Sequence, residues 1–259
     1  MSERFVGSKR NIDELTSPEF AAIVKGNPLV ILPIGATEEH GSHLPLGTDS
    51  MQCEEVVSRV ADEFGALVLP PVRYGECRTT RNFPGTLSLR SETVQSLVTD
   101  IVGELARNGV RRVLVLSGHA GSGHMAAIRL GVQNVVGDHP DLKAMVLSDY
   151  DIAYDLAGKE FPKDDGHAGQ IETSRMLGIR PDLVGRTRPV GKTRPPKYMI
   201  LSDPERHIPT GVMGDSRGSS AEKGGRIHKH ITENLCEHIA RNFGLRRVKG
   251  KTRDRNPRS

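Results

Sequence analysis

Tryptophan is missing altogether from this chain, and other aromatics are few: six phenylalanines and four tyrosines. Cysteine is scarce as well. Cys53, Cys77 and Cys236, an odd number with no CxxC or CxxH spacing, cannot build a disulfide frame and do not suggest a thiolate metal site. No apolar run approaches the roughly 20 residues that span a bilayer, and Met1-Ser2-Glu3-Arg4 lacks the pattern of a secretory leader. These absences argue against a disulfide scaffold and a helical membrane protein. They lead us to expect a cytoplasmic protein with no membrane partner.

A basic body is lacking too. The net charge is +4, but the stretch from Arg246 to Ser259 holds seven basic residues and one acid, so it carries +6 and the other 245 residues carry −2. The surplus is a tail, and no nucleic-acid partner is expected. A short, basic, apolar-poor segment of this kind reads as disordered. The remaining 1–245 is expected to be a single domain, since 259 residues with 36% hydrophobic and 26% charged residues can bury a sizeable core.

What is present is an alternation of strand and helix patterns. Leu29 to Leu32 reads as a buried strand, 49–64 as a helix and Leu67 to Leu69 as a second short strand. Ser91 is expected to cap a helix in which Val94, Leu97, Val98, Ile101, Val102 and Leu105 recur at helical spacing, ending at Asn108-Gly109. Val113 to Leu116 is a strand, 125–136 a helix and Ala144 to Leu147 another strand. Ser219-Ser220-Ala221-Glu222 reads as a capping box opening a helix with Ile227, Ile231, Leu235 and Ile239 on one stripe. The stretch 178–218, rich in proline and arginine, reads as a long excursion. Apolar strands separated by helices predict an α/β fold, a three-layer sandwich with a mainly parallel sheet covered by helices on both faces.

The first strand runs into Gly35-Ala36-Thr37-Glu38-Glu39-His40-Gly41-Ser42-His43-Leu44-Pro45-Leu46-Gly47-Thr48-Asp49, with two imidazoles and three carboxylates inside twelve residues. In an extended segment Glu38 and His40 share a face and Glu39 points away. The loop through Pro45 and Gly47 can fold Asp49 back onto that pair. A carboxylate, an imidazole and a second carboxylate facing one point suit a borderline divalent ion. His119, in Ser117-Gly118-His119-Ala120-Gly121 after the third strand, reads equally as a ligand or as a histidine satisfied by a backbone carbonyl. In Asp165-Gly166-His167-Ala168-Gly169-Gln170-Ile171-Glu172 a helix starting near Ala168 would separate His167 and Glu172 by about 140°. Either His167 precedes the helix and swings inward, or only one of the two serves the site.

Together these stretches resemble the creatininase (creatinine amidohydrolase) family. The resemblance is carried by Glu38-x-His40-Gly41-x-His43-Leu44-Pro45-x-x-Thr48-Asp49, Phe83-Pro84-Gly85-Thr86, Gly118-His119, His167-Ala168-Gly169-x-x-Glu172-Thr173-Ser174 and Gly211-Val212-x-Gly214-Asp215, spread over about 28–243. It implies a usually hexameric enzyme holding two divalent metal ions (Zn, Mn or Fe) per subunit, which activate water against a C–N bond. Carried over by position, Glu38 and His119 would bind one ion and His40 the other, with Asp49 bridging. Family activities include creatinine ring hydrolysis, deformylation in flavin and deazaflavin biosynthesis, trimming of a peptide redox-cofactor precursor and hydrolysis of a dehydro-inosose.

Two departures narrow the reading. Creatininase has a metal-binding carboxylate two residues after the histidine matched by His119, and here that place is Gly121; Glu172 is the candidate to replace it. Creatininase also lines its pocket with tryptophan, so its absence argues against creatinine as substrate. His167 is the expected general acid, because histidine titrates near neutral pH. Arg78 and Arg81, on the loop expected to cover the pocket, and His43 are the expected contacts to a small polar substrate. The arginines suit an anionic or polyhydroxylated group; two solvent-facing or intersubunit arginines fit the same pattern. Hydrolysis of an amide, cyclic amide or formamide is the leading reading. C–C cleavage of a sugar-derived ring is the alternative, and an inactive metal-stabilised binding protein is a third.

Overall fold

A computed structural model describes residues 9–192 and 196–248. α1 (Ser17–Val24) opens on a capping box: Thr16 Oγ1 accepts from the Glu19 N–H, and the Glu19 carboxylate accepts from the Thr16 N–H at 2.7 Å. The sheet is built from β1 (Val30–Ile34), β2 (Leu67–Val68), β3 (Arg112–Ser117) and β4 (Lys143–Ser148), in the order β2-β1-β3-β4 with every pair parallel. Between them lie α2 (Thr48–Phe64), α3 (Ser91–Arg107) and α4 (Ser122–Asp138). After β4 come α5 (Tyr150–Ala153), α6 (Gln170–Ile179), a two-stranded antiparallel ribbon of β5 (Val190–Gly191) and β6 (Gly214–Asp215), and α7 (Ala221–Phe243).

Side-chain alternation along the strands divides the core in two. Leu29, Ile31, Leu114 and Leu116 face α2, α5 and α7, packing with Val56, Val60, Ile152, Ile227, Ile231, Leu235 and Ile239. Val30, Leu32, Ile34, Val113 and Val115 face the other way, against Val94, Val98 and Val102 of α3 and Ile128 and Val132 of α4, with Phe20 and Ile23 of α1 at the margin. Two apolar faces need two helical layers, which gives the expected three-layer α/β sandwich. Each fully buried aliphatic side chain here contributes about 1.5–3 kcal/mol.

Several expected helix starts differ in detail. Arg90, not Ser91, occupies the cap of α3, and its carbonyl accepts from Thr93 and Val94. At α7 the cap is Ser220, which accepts from the Lys223 N–H at 3.2 Å, while the Ser219 hydroxyl donates to the Ser216 carbonyl at 2.6 Å. The cap is thus one residue later than expected, and Lys223, a donor, stands where a reciprocal box would need Glu or Gln. α4 begins at Ser122 because its first turn, Ser122-Gly123-His124, is helical without being apolar, so periodicity alone starts the helix late. Of the basic tail, Val248 pairs its N–H with the Glu63 carbonyl at 2.7 Å and Arg247 lies 3.9 Å from the Glu63 carboxylate. The expected disorder of 249–259 lies outside the described residues. Among the described residues no helix is long and apolar enough to cross a membrane.

The register sets up the site. Ile34 pairs with Ser117 and Ser117 with Ser148, so β1, β3 and β4 end level at their carboxyl edge. That edge is where open α/β sheets place ligands. The excursion folds back over it: Gly185 N–H donates to the His43 carbonyl at 2.7 Å, and Met213 N–H to the His167 carbonyl at 2.8 Å.

Candidate metal centre

The loop leaving β1 is closed by the Glu38 N–H donating to the Leu46 carbonyl at 2.9 Å, which returns the chain to the first turn of α2, where Asp49 sits. A carboxylate at a helix N-terminus is favoured by the helix dipole. His40 donates from Nδ1 to the Glu38 carbonyl at 3.0 Å, so in the neutral ring Nε2 carries the lone pair. That atom lies 3.0 Å from Asp49 Oδ1 and 3.5 Å from Glu172 Oε2.

His119, just past β3, is arranged in the opposite sense. Its Nε2–H donates to the Glu76 carbonyl at 2.9 Å, and its Nδ1 lies 3.0 Å from Glu38 Oε2 and 3.1 Å from Asp49 Oδ2. Metal-binding histidines commonly have one ring nitrogen tied to a carbonyl and the other turned into the site. The sequence left His119 open between ligand and carbonyl-satisfied histidine; one nitrogen satisfies a carbonyl while the other faces the carboxylates. Gly118 permits this approach, since a Cβ there would lie 2.1 Å from the Asp49 carbonyl oxygen.

The pocket is short of positive charge. Glu38, Asp49 and Glu172 converge on two imidazoles, all nearly sealed from solvent, and buried carboxylates at this density are costly without compensation. Neither Glu38 Oε2 nor Asp49 Oδ2 has a hydrogen-bond partner among the described residues. In the metal-free chain burial opposes charge on His40, yet Asp49 and then Glu172 outweigh it and push its pKa up to about 10. Burial likewise works against ionised Glu38, but His119 and His167 hold its carboxyl down to about 2. Nitrogen and oxygen donors around orphaned carboxylate oxygens fit a borderline divalent ion. Among the described residues, three groups have donor atoms mutually within 4.8 Å: His40 with Asp49 and Glu172, Glu38 with His40 and His167, and Glu38 with Cys77 and His119.

The geometry problem at His167 and Glu172 is solved by the backbone. α6 starts at Gln170, not near Ala168, and Ala168 adopts a left-handed conformation with φ 53°. His167 therefore lies before the helix: its Nε2–H donates to the Glu39 carbonyl at 2.8 Å and its ring centroid is 4.3 Å from that of His40. Glu172, inside the first turn, accepts from the Ala168 N–H at 2.6 Å. Asp165 holds this turn, its two oxygens accepting from the Gln170 and Ile171 N–H groups at 2.7 and 2.8 Å. Glu39 belongs to none of the three donor groups; one carboxylate oxygen accepts from the Gly41 N–H at 2.8 Å and the other lies 3.4 Å from His167 Nε2, so it turns from the ligands but touches His167. At Gly121 a Cβ would fall 2.6 Å from His119 Nε2. The backbone there lies against the imidazole, and Glu172 enters from a different element.

The expected substrate contacts are less tightly gathered. Arg78 and Arg81 are exposed, and Arg78 donates to the Leu201 carbonyl at 3.4 Å. His43 is buried, with Nε2 at 2.8 Å from Thr173 Oγ1; burial, then Arg188 and His40, push its pKa down to about 4. Some residues escaped the sequence reading. Cys77 has no partner at CxxC spacing, yet it sits beside Glu38 and His119, in a relation only the fold creates. Thr80 donates to Glu38 Oε1. Behind α6, Gln52 Nε2 donates to the Glu172 carbonyl at 3.0 Å, and Gln52 Oε1 accepts from the Tyr150 hydroxyl at 2.6 Å. Arg175, paired with buried Asp149, lies over the Tyr150 ring. Asp149-Tyr150 directly follows an apolar strand, and that position was its only signal.

The Creatininase family model, described as creatinine amidohydrolase, matches residues 13–239. The creatinine amidohydrolase of Pseudomonas putida is 34% identical over 251 residues, 90% of this chain and 96% of the relative. The mycofactocin precursor peptide peptidase of Mycolicibacterium smegmatis is 28% identical over 251 residues, 92% of this chain and 94% of the relative. A crystal structure of creatinine amidohydrolase superposes with a TM-score of 0.81 at 32% identity, covering 92% of this chain and 99% of the other. Manganese and mutant Zn–Zn forms of creatininase superpose at 0.81 and 0.80, each 31% identical and covering 99% of that chain, with 91% and 92% of this one. The family match extends across every element that builds the pocket, and this chain belongs to the creatininase family as a metal-dependent hydrolase of the amidohydrolase type.

Proposed function

We propose that the pocket holds two divalent ions, Zn, Mn or Fe, one among Glu38, Asp49 and His119 and the other among His40, Asp49 and Glu172. The observation that carries this reading is the division of Asp49, whose Oδ1 faces His40 Nε2 and whose Oδ2 faces His119 Nδ1. A bridging carboxylate needs that division. The manganese and Zn–Zn forms of related structures support it.

When bound, two such ions make a water nucleophilic near neutral pH and polarise a carbonyl oxygen. The protein's own work is orientation and proton transfer. The Glu38 and Glu76 carbonyls hold His40 and His119 in the tautomers that present a lone pair, and Thr80 steadies Glu38. His167, anchored through Nε2–H to the Glu39 carbonyl, keeps Nδ1 for the leaving nitrogen. Burial and His40 oppose its protonation, but Glu38, the Glu39 carboxylate and Glu172 outweigh them and raise its pKa. A proton-bearing imidazole beside the ligands suits a general acid.

The bond cleaved is the C–N bond of a small polar amide, cyclic amide or formamide. The names of the relatives, an amidohydrolase and a peptidase, support that class; the absence of tryptophan argues against creatinine itself. Arg78 and Arg81 stand on the loop whose buried positions Cys77 and Thr80 touch the centre, so they hold an anionic group at its mouth, with His43 shaping the pocket beside α6. We place the enzyme in the cytoplasm as a homohexamer. The exposed apolar run at Tyr198, Met199 and Ile200 supports contact between copies.

The direct test is metal content of protein purified without chelators. About two ions per chain are expected in the wild type and about one in Glu172→Gln. One ion or none in the wild type would sink the dinuclear mechanism.

A further inference from the structure

Cys77 does not behave like the other two cysteines. Cys53 donates its thiol hydrogen to the Leu116 carbonyl at 3.2 Å, and both Cys53 and Cys236 pack in the core beneath α2 and α7. Cys77 belongs to neither large core cluster, is 2% exposed and is not in a disulfide. Its sulfur, a Glu38 carboxylate oxygen and a His119 ring nitrogen lie mutually within 4.8 Å. The preceding residue, Glu76, supplies the carbonyl that fixes the His119 tautomer, and Thr80 of the same loop donates to Glu38. The loop is thus keyed to both neighbours of the thiol. Independently, Glu38 is 3% exposed, and its Oε2, which has no hydrogen-bond partner among the described residues, is turned to the same place, 3.0 Å from His119 Nδ1.

The geometry points to Cys77 as a further ligand of the ion held by Glu38, Asp49 and His119, making that position a mixed nitrogen, oxygen and sulfur site. The inference rests on the metal-centre reading above and adds to it a choice of metal. Two carboxylates, one imidazole and one thiolate form a four-donor set suited to zinc. On binding, the thiol gives its proton to solvent as the metal–sulfur bond forms. Sulfur favours zinc, iron(II) and cobalt(II) over manganese, whereas the His40, Asp49 and Glu172 position offers only nitrogen and oxygen. The two positions therefore differ in softness, and the pocket is built for two different ions.

The test is loading the full-length protein with cobalt(II) and reading its absorption. A near-ultraviolet sulfur-to-cobalt charge-transfer band is expected in the wild type. It is lost in Cys77→Ser and retained in Cys236→Ser. Zinc-loaded wild type, which needs no variant to fold, is expected to show a zinc–sulfur distance of about 2.3 Å by X-ray absorption. Cobalt or zinc bound without either sulfur signature would overturn the role of Cys77 and leave the metal centre standing. Failure of the wild type to bind either ion would overturn both.

Discussion

A proton has to reach the leaving nitrogen, and His167 is the side chain placed to deliver it. Its Nε2–H is directed at the Glu39 carbonyl, with the Glu39 carboxylate 3.4 Å from the same nitrogen, and its ring packs against His40, so its position is set by the site while the second nitrogen is left for chemistry. His167→Asn should lower kcat by about 10²- to 10⁴-fold, the usual worth of general acid catalysis. It should leave metal content unchanged; loss of an ion as well would make His167 a ligand instead. The type and spacing of these donors were legible from sequence, since Glu38, His40 and Asp49 fall in one short loop. Cys77 was not legible, because its closeness to Glu38 and His119 is made by folding across 39 and 42 positions of chain.

Helices and strands bring these side chains together through their ends. α2 delivers Asp49 and the turn after β3 delivers His119, and they meet where Gly118 lies against the Asp49 carbonyl. Gly118→Ala would force a Cβ into that contact, displacing the N-terminus of α2. A cost of about 1–3 kcal/mol is expected, typical of overpacking, together with weakened metal binding. Chemical denaturation and metal titration of the variant check both, and unchanged values in each would remove the close approach from the argument. Periodicity found β1, β3, α3 and α7 because their apolar residues face a core. It misplaced the starts of α4 and α6, where polar and glycine residues carry the first turn. At α6 the error mattered, since the left-handed Ala168 is what lets His167 and Glu172 both face the pocket.

For the molecule as a whole, the buried histidines make stability depend on pH in both directions once metal is stripped. His40 has its pKa raised to about 10, so its contribution is fully present below about 6.5 and lost as pH rises through 10. His43 and His124 are pushed down to about 4 and 3, chiefly by burial. Below about 6.5 the unfolded chain binds protons that these two refuse, so stability falls as pH drops toward 3. Chelator-treated protein should therefore have its highest denaturation midpoint near pH 6 to 7. Added zinc should flatten the alkaline side, because the ion replaces the His40 proton. A midpoint of the stripped protein that kept rising from pH 7 to 9.5 would contradict this account.

Sequence alone determined the layers and the donor types. Burial and hydrogen bonding impose periods of 2 and 3.6 locally, and metal-binding side chains cluster where glycine and proline shape a strand-end loop. The tertiary structure alone decided which lone pairs meet. The register that levels Ile34 with Ser117 aligns the loops of Glu38, His40 and His119. The turn at Ala168 adds Glu172 to His40, and the loop carrying Glu76 adds Cys77 to His119. These relations depend on distances between segments remote in sequence, and such distances exist only once the core has packed.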